Sequence, residues 1–130
     1  MNMYLDIDGV LLANDKNAAN HVHEFLAFVT SNHTVYWLTS HCQGDASTAV
    51  SRLATVFEPR TLALTRGIRP TRWSNAKTEA IDFSQPFLWF DDDLFPEERS
   101  ELIRHDALAS WVEVNLREDP NALQRILENR

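Results

Sequence analysis

The chain has 130 residues and a formal net charge of −7, which is enough for one domain with a single core. Hydrophobic residues make up 44% and charged residues 24%, a globular composition that argues against disordered, collagen and coiled-coil classes. The only cysteine, Cys42, excludes an intramolecular disulfide and favours a reducing, cytoplasmic location. With three glycines, the chain has neither a dinucleotide fingerprint nor a phosphate loop.

No apolar run approaches the roughly 20 residues that span a bilayer. The first residues also lack the basic and apolar regions of a signal peptide. We therefore expect no membrane association.

The predicted elements alternate between strands and helices from the start of the chain. A short apolar strand covers residues 3–8, and apolar residues at helical spacing predict a helix over 17–31. A β-branched and aromatic run predicts a strand over 35–38. Asp45 is placed to cap the helix that follows, and a weaker strand is expected over 61–64.

The second half of the chain continues the alternation. A short helix is predicted over 75–81 and a strongly apolar strand over 87–90. Pro96 suits the first position of a helix, a last strand lies within 108–114, and a final helix follows Asp119. The pattern predicts one α/β domain over the whole chain. It would be a three-layer, Rossmann-like domain with a mostly parallel sheet of about five strands and helices on both faces.

Polar residues follow three of the predicted strands. Asp6 and Asp8 close the first strand, Thr39, Ser40 and His41 close the second, and aspartates fill positions 91–93. One aspartate at a strand end is commonly a turn former, but parallel strands bring all these ends to one ligand-binding edge. Carboxylates gathered there need an opposing charge, and a hard cation held by oxygen, such as Mg²⁺, supplies it.

Four motifs in this order resemble those of the haloacid dehalogenase-like superfamily of phosphatases and phosphotransferases, over about residues 3–115. The first, DxDG[TV], is matched by residues 6–10, and the second, an apolar strand ending in threonine or serine, by residues 35–39. Lys77 matches the third, a lysine near the start of a helix. Residues 88–92 match the fourth, an apolar strand that ends in an acid pair. The DxDG motif is quite specific. The other three motifs are weak singly, and it is the presence of all four in the right order that supports the resemblance.

The resemblance implies a Mg²⁺-dependent phosphomonoesterase that works through an aspartyl-phosphate. Asp6 would be the nucleophile, and Asp8 the general acid and then the general base. Thr39 would hydrogen-bond a phosphoryl oxygen, although the neighbouring Ser40 offers the same group. Lys77 would neutralise the charge on that phosphoryl group and on Asp6.

The resemblance also implies the metal ligands. They would be Asp6, the backbone carbonyl of Asp8, Asp91 and Asp92. The run of three aspartates leaves the inner ligand open between Asp91, Asp92 and Asp93, and we favour Asp91 and then Asp92.

The segments in which this superfamily carries a substrate-selecting cap are short here, at residues 10–16 and 58–74. The resemblance therefore implies a capless protein with an open site. Such a site suits a small phosphorylated molecule, a polynucleotide phosphate end as in nucleic-acid repair, or closure by a second copy or a partner protein acting as a lid.

Residues 59–78 contain no acid and five basic residues, namely Arg60, Arg66, Arg69, Arg72 and Lys77. Arg69 and Arg72 are candidates for holding a second phosphate through paired N–H donors. Alternatively, these arginines pair with Glu79, Asp82 or the acids after Pro96 and merely hold the loop.

Two rival classes remain at this stage. A signalling receiver domain would need a phospho-accepting aspartate after its third strand, and residues 61–65 contain no acid. A non-catalytic metal-binding interaction module would keep the same acids without turnover.

Overall fold

The computed structural model describes residues 1–129. Its centre is a four-stranded sheet in the order β2–β1–β3–β4, and all neighbouring strands are parallel. The strands are β1 Asn2–Leu5, β2 Thr34–Trp37, β3 Phe87–Asp91 and β4 Trp111–Glu113. The prediction of an α/β domain is confirmed, although the sheet has four strands rather than about five.

Five α-helices occur in the described residues: α1 Val22–Asn32, α2 Ser47–Ala54, α3 Pro59–Ala63, α4 Pro96–Arg104 and α5 Ala122–Glu128. Short 3-10 turns cover Leu64–Gly67, Lys77–Ala80 and Leu108–Ser110. The longest of these helices, α1, has 11 residues, and none of them combines the length and hydropathy needed to cross a lipid bilayer.

Helices cover both faces of the sheet because the side chains of each strand alternate between two cores. Leu5 points into the larger core, where it joins Phe25 of α1. Tyr4 points the other way and packs in a second core with Trp89 of β3 and Leu102 of α4. Burying an apolar side chain of this size contributes about 1.5–3 kcal/mol. Because apolar cores cover both faces of the sheet, polar side chains are accommodated at the carboxyl ends of the strands.

The strand predicted over 61–64 is wrong, because this segment is helical and forms α3 and the turn after it. Pro59 occupies the first position of α3, where its fixed φ suits a helix and its missing N–H is not needed. Thr61 and Thr65 are both buried, and their spacing of four places them on one helical face. A run of four residues, of which three are apolar, fits either a strand or a helix, so the pattern alone could not decide between them.

The missing fifth strand is a single bridge at the β2 edge of the sheet. The N–H of Arg69 donates to the Val35 carbonyl at 2.9 Å, and the Arg69 carbonyl accepts from the N–H of Trp37 at 2.8 Å. The pairing then ends, because the hydroxyl of Thr71, rather than its N–H, donates to the Trp37 carbonyl, at 2.5 Å. The chain therefore crosses beside β2 at residues 68–70, later than the sequence predicts.

Candidate functional site

β1 is the point at which the sheet order reverses, since the chain passes from it to β2 on one side and later to β3 on the other. In the strand register, Leu5 lies opposite both Trp37 and Phe90. Asp6 is the next residue, and its N–H donates to the Phe90 carbonyl at 3.1 Å. Asp6 therefore lies level with Asp91, in the crevice where open parallel sheets bind ligands.

Three carboxylates meet in this crevice. Asp6, Asp91 and Asp92 each offer an oxygen, and these oxygens all lie within 4.8 Å of one another. Asp6 is 8% exposed and Asp91 2% exposed, whereas Asp92 lies at the surface. We call these three residues the acidic cluster. A donor set made only of carboxylate oxygens fits a hard divalent cation such as Mg²⁺.

Lys77 supplies one positive charge to the acidic cluster. Its Nζ lies 2.7 Å from Asp91 Oδ2 and 3.6 Å from Asp6 Oδ2. Burial by itself would lower the pKa of Lys77, but the charges of Asp6 and Asp91 raise it above its usual value. One ammonium group against three carboxylates leaves the cluster with an excess of negative charge.

The pKa values of the acidic cluster reflect this excess. Burial raises the pKa of Asp6 against the lowering effect of Lys77. Burial, with the Asp6 charge, raises the pKa of Asp91 to about 6. Burial and the neighbouring Asp91 likewise raise the pKa of Asp92 to about 6. A divalent cation would relieve the same repulsion that a proton relieves here.

Protein donors fix the orientation of Asp91. Its Oδ2 accepts from Lys77 Nζ at 2.7 Å and from Trp89 Nε1 at 3.2 Å. Its Oδ1 accepts from the backbone N–H groups of Asp92 at 2.8 Å and Asp93 at 3.3 Å. These four bonds hold the Asp91 carboxylate in one orientation, with its oxygens beside those of Asp6 and Asp92. Asp92 is the member of the cluster that faces the opening.

Gly9 lets the first motif lie directly against Asp92. Its φ of 81° is in the left-handed region, and a Cβ at this position would collide with the Asp92 carboxylate. A side chain here would therefore displace the acid and strain the turn.

Thr39 belongs to the same crevice, whereas Ser40 points to solvent. Thr39 is 1% exposed, its hydroxyl is among the groups that act to lower the pKa of Asp6, and its oxygen accepts the N–H of His41 at 3.3 Å. Ser40 is exposed. Thr39 and Lys77 thus both lie beside Asp6.

Asp8 lies in a very different environment, with its side chain 52% exposed. His41 Nε2 lies 2.6 Å from its Oδ2, and Arg52 Nη2 donates to its Oδ1 at 2.8 Å and to Asp15 at 2.9 Å. We call these four residues the clamp. Partial burial tends to raise the pKa of Asp8, but hydrogen bonds from His41 and Arg52 and the Arg52 charge lower it overall.

Glu98 anchors Lys77 from below the crevice. This carboxylate is 4% exposed. Its Oε2 accepts the backbone N–H of Lys77 at 3.1 Å, and its Oε1 accepts the N–H of Phe95 at 3.1 Å. One buried side chain thereby ties the lysine-bearing turn to the loop that carries Asp92.

Sequence reasoning placed His41 at the end of the second strand without giving it a role, and it did not identify Arg52 and Glu98 as parts of the site. The acids after Pro96 did indicate a helix start, and Glu98 is the third residue of α4, where an acid commonly bonds the preceding backbone. Arg52 had no local signal, because its contact with Asp8 joins residues 44 positions apart.

The two arginines proposed as substrate contacts lie in different places. Arg69 lines a small cleft of about 160 Å³ with His33 and Thr34, near the amino end of β2 and away from the acidic cluster. The Arg72 guanidinium packs closely against Gly44, in the loop that follows Thr39. Only Arg72 therefore lies at the carboxyl edge of the sheet.

The alternative of a loop held by ion pairs is also not seen. Within residues 1–129, Arg66, Arg69 and Arg72 form no ion pair. Glu79 instead accepts the backbone N–H groups of residues 74–76. Trp73 packs on the second core.

Comparison of this chain with known protein families, curated proteins and solved structures finds no match. Its site is therefore defined by geometry: an acidic cluster and a lysine at the switch point of a parallel α/β sheet.

Proposed function

We propose that this protein is a Mg²⁺-dependent phosphomonoesterase of the haloacid dehalogenase-like type. The observation that carries the proposal is the acidic cluster, with oxygens within 4.8 Å of one another and Lys77 Nζ 2.7 Å from Asp91. Asp6 lies in this cluster beside the hydroxyl of Thr39. A nucleophile, a hydroxyl donor and an ammonium group thus surround one position for a phosphoryl group.

In the first step, a carboxylate oxygen of Asp6 attacks phosphorus and the bond from phosphorus to the ester oxygen breaks. Asp8 passes to that oxygen the proton that it shares with His41 Nε2, and the alcohol leaves. Lys77 and Thr39 stabilise the charge on the phosphoryl oxygens. The product is a phosphoryl group covalently bound to Asp6.

In the second step, a water oxygen attacks phosphorus and the bond to Asp6 breaks. Asp8 takes the proton from the water, and inorganic phosphate leaves. The sum of both steps is ester plus water to alcohol plus phosphate, and both aspartates return to their starting forms.

The clamp fits both roles of Asp8. Arg52 and His41 keep Asp8 ionised, which is the form that accepts a proton from water. For the first step, His41 Nε2 lies 2.6 Å from Asp8 Oδ2, close enough to share the proton that Asp8 delivers.

The metal would be held by carboxylate oxygens of Asp6, Asp91 and Asp92 and by the backbone carbonyl of Asp8. Asp91 also orients Lys77, whose Nζ lies 2.7 Å from its Oδ2. The cation supplies positive charge that offsets the repulsion between Asp6 and the phosphate.

The test is turnover of p-nitrophenyl phosphate with and without Mg²⁺, together with calorimetric Mg²⁺ binding. We expect turnover that needs Mg²⁺, is lost in Asp6→Asn and is kept in Asp93→Asn, because the Asp93 carboxylate bonds the N–H of Leu94 instead of joining the cluster. Mg²⁺ binding without turnover of any phosphomonoester would indicate the non-catalytic metal-binding module, and absence of binding would end the proposal.

A polynucleotide phosphate end is the second substrate class. The position of Arg72 favours this class, because Arg72 is exposed at the carboxyl edge of the sheet and forms no ion pair in the described chain. Phosphorylated metabolites and 5′- or 3′-phosphorylated oligonucleotides, compared in one panel, decide between the two classes. A cytoplasmic location and a lid from a second copy or a partner remain predictions.

A further inference from the structure

A cleft of about 420 Å³ opens beside the acidic cluster on the β4 side of the edge. Its lining includes Asp8 and Asp92, and also Asn115 and Arg117 from the loop after β4. Its volume lies within the range of small-molecule sites. It therefore has room for a group the size of a sugar.

The cleft lies where the leaving alcohol has to go. Asp8, the proposed proton donor to the ester oxygen, belongs to the lining of this cleft, whereas its partners His41 and Arg52 do not. Asp92 borders the same space. An alcohol bonded to a phosphoryl group at Asp6 would thus extend past Asp8 into this cleft.

Arg117 gives the cleft its chemical preference. It is the only basic residue in the lining, it is exposed, and it forms no ion pair with any residue in the described part of the chain. Asp92 and Asp93 in the same lining repel anions. A guanidinium binds phosphate through paired N–H donors, so Arg117 is the lining group that attracts an anion.

We propose that this cleft binds the leaving alcohol and that Arg117 binds a second phosphate carried by it. The inference rests on the proposed phosphomonoesterase function and narrows its substrates to molecules with two phosphates about one sugar apart. A small bisphosphate and a phosphorylated oligonucleotide end both present that chemistry.

The experiment compares adenosine 3′,5′-bisphosphate with the two adenosine monophosphates, and a 5′-phosphorylated dithymidine with thymidine 5′-phosphate. Binding is measured by calorimetry with Mg²⁺, and kcat/KM is measured in parallel. Arg117→Ala should lower the preference for two phosphates about tenfold, because it removes the paired N–H donors that bind the second phosphate. Arg117→Lys should restore part of it. Preference for the bisphosphate alone or for the dinucleotide identifies the source of the second phosphate.

Arg66→Ala is the matched control, because Arg66 is another exposed arginine without an ion pair and lies in the turn after α3. It should leave the preference unchanged. The inference is overturned if Arg117→Ala weakens the binding of monophosphates and bisphosphates equally, or if it weakens the binding of neither. It is also overturned if Arg72→Ala, rather than Arg117→Ala, removes the preference for two phosphates. Because binding is measured separately, absence of turnover in the unmodified chain would count against the proposed function, and equal binding of one and two phosphates against this inference.

Discussion

Asp6 and Asp8 are two residues apart in one motif, yet the structure places them in opposite electrostatic environments. Asp6 is almost fully buried among other carboxylates, and burial raises its pKa. Asp8 is half exposed between His41 and Arg52, and its pKa is lowered. In the metal-free chain this order is the reverse of the one that the assigned roles need. Asp6 therefore needs a bound cation to act as an ionised nucleophile, and Asp8 needs the proton that it shares with His41.

The acidic cluster and the clamp differ in how well their negative charges are balanced. The acidic cluster has three carboxylates and one lysine, so it gains from a proton or a cation. In the clamp, Arg52 already lies between two aspartates, so the clamp gains less from a further proton or cation. Metal binding should therefore act on the cluster, while proton transfer is assigned to the clamp.

The largest expected effect separates the two aspartates directly. Asp6→Asn should abolish p-nitrophenyl phosphate turnover, since no nucleophile remains, and Asp8→Asn should lower kcat by about 10²–10⁴. Their effects on the Mg²⁺-free melting temperature should have opposite signs. Asp6→Asn removes a buried charge and raises it, whereas Asp8→Asn breaks an ion pair and lowers it.

Trapping with beryllofluoride, followed by NMR or crystallography, checks which residue carries the phosphoryl group. A stable adduct on Asp8, or near-normal turnover by Asp6→Asn, would contradict the assignment.

A smaller effect tests whether Lys77 works because Glu98 holds it. Glu98→Ala removes the acceptor of the Lys77 N–H, and we expect kcat to fall about tenfold while KM changes less, since a misplaced lysine loses transition-state contacts. Glu98→Gln keeps one acceptor oxygen and should recover part of the loss. The double variant Glu98→Ala with Lys77→Ala should be no slower than Lys77→Ala alone, because both changes remove one interaction.

Glu79→Ala is the control for this prediction. Glu79 also holds the backbone before Lys77, through residues 74–76, but it is exposed and does not contact Lys77. Equal losses in kcat from Glu79→Ala and Glu98→Ala would show that both merely hold the loop.

The smallest effect concerns stability and pH. The pKa values of Asp91 and Asp92 are about 6 in the folded chain and near 3.8 when unfolded, so the folded state binds more protons between these values. Their contribution to stability is fully present below pH 4 and is lost as the pH rises through 6. Without metal, the melting temperature should fall between pH 5 and pH 7.5.

Mg²⁺ should reverse this fall at pH 7.5, by about 2.7 kcal/mol at 100 times its dissociation constant. Asp92→Asn should show a shallower pH dependence and a smaller response to Mg²⁺. Scanning calorimetry at both pH values measures the shifts. If the melting temperature changed with pH equally in Asp92→Asn and in the unmodified chain, the acidic cluster would not be the cause of the pH dependence.

Local patterns were sufficient for much of the fold. The apolar runs at 35–38 and 87–90 are strands within a residue or two, and Pro96 begins α4 as expected. The segment 61–64 was assigned wrongly, because a run of four residues is too short to distinguish the period of a strand from that of a helix. The burial of Thr61 and Thr65 depends on packing against the rest of the chain. The bridge at Arg69 depends on one contact with a distant strand, which no local pattern encodes.

For the site, the sequence by itself determined which residues end the strands. Asp6, Thr39 and Asp91 follow apolar runs that have to be buried, so they reach one edge of any parallel sheet built from those runs. Only the tertiary structure decided how each acid behaves. The contacts of Asp8 with Arg52 and of Lys77 with Glu98 join residues 44 and 21 positions apart. A pKa depends on the charges and burial around a group in space, and chain folding alone sets those.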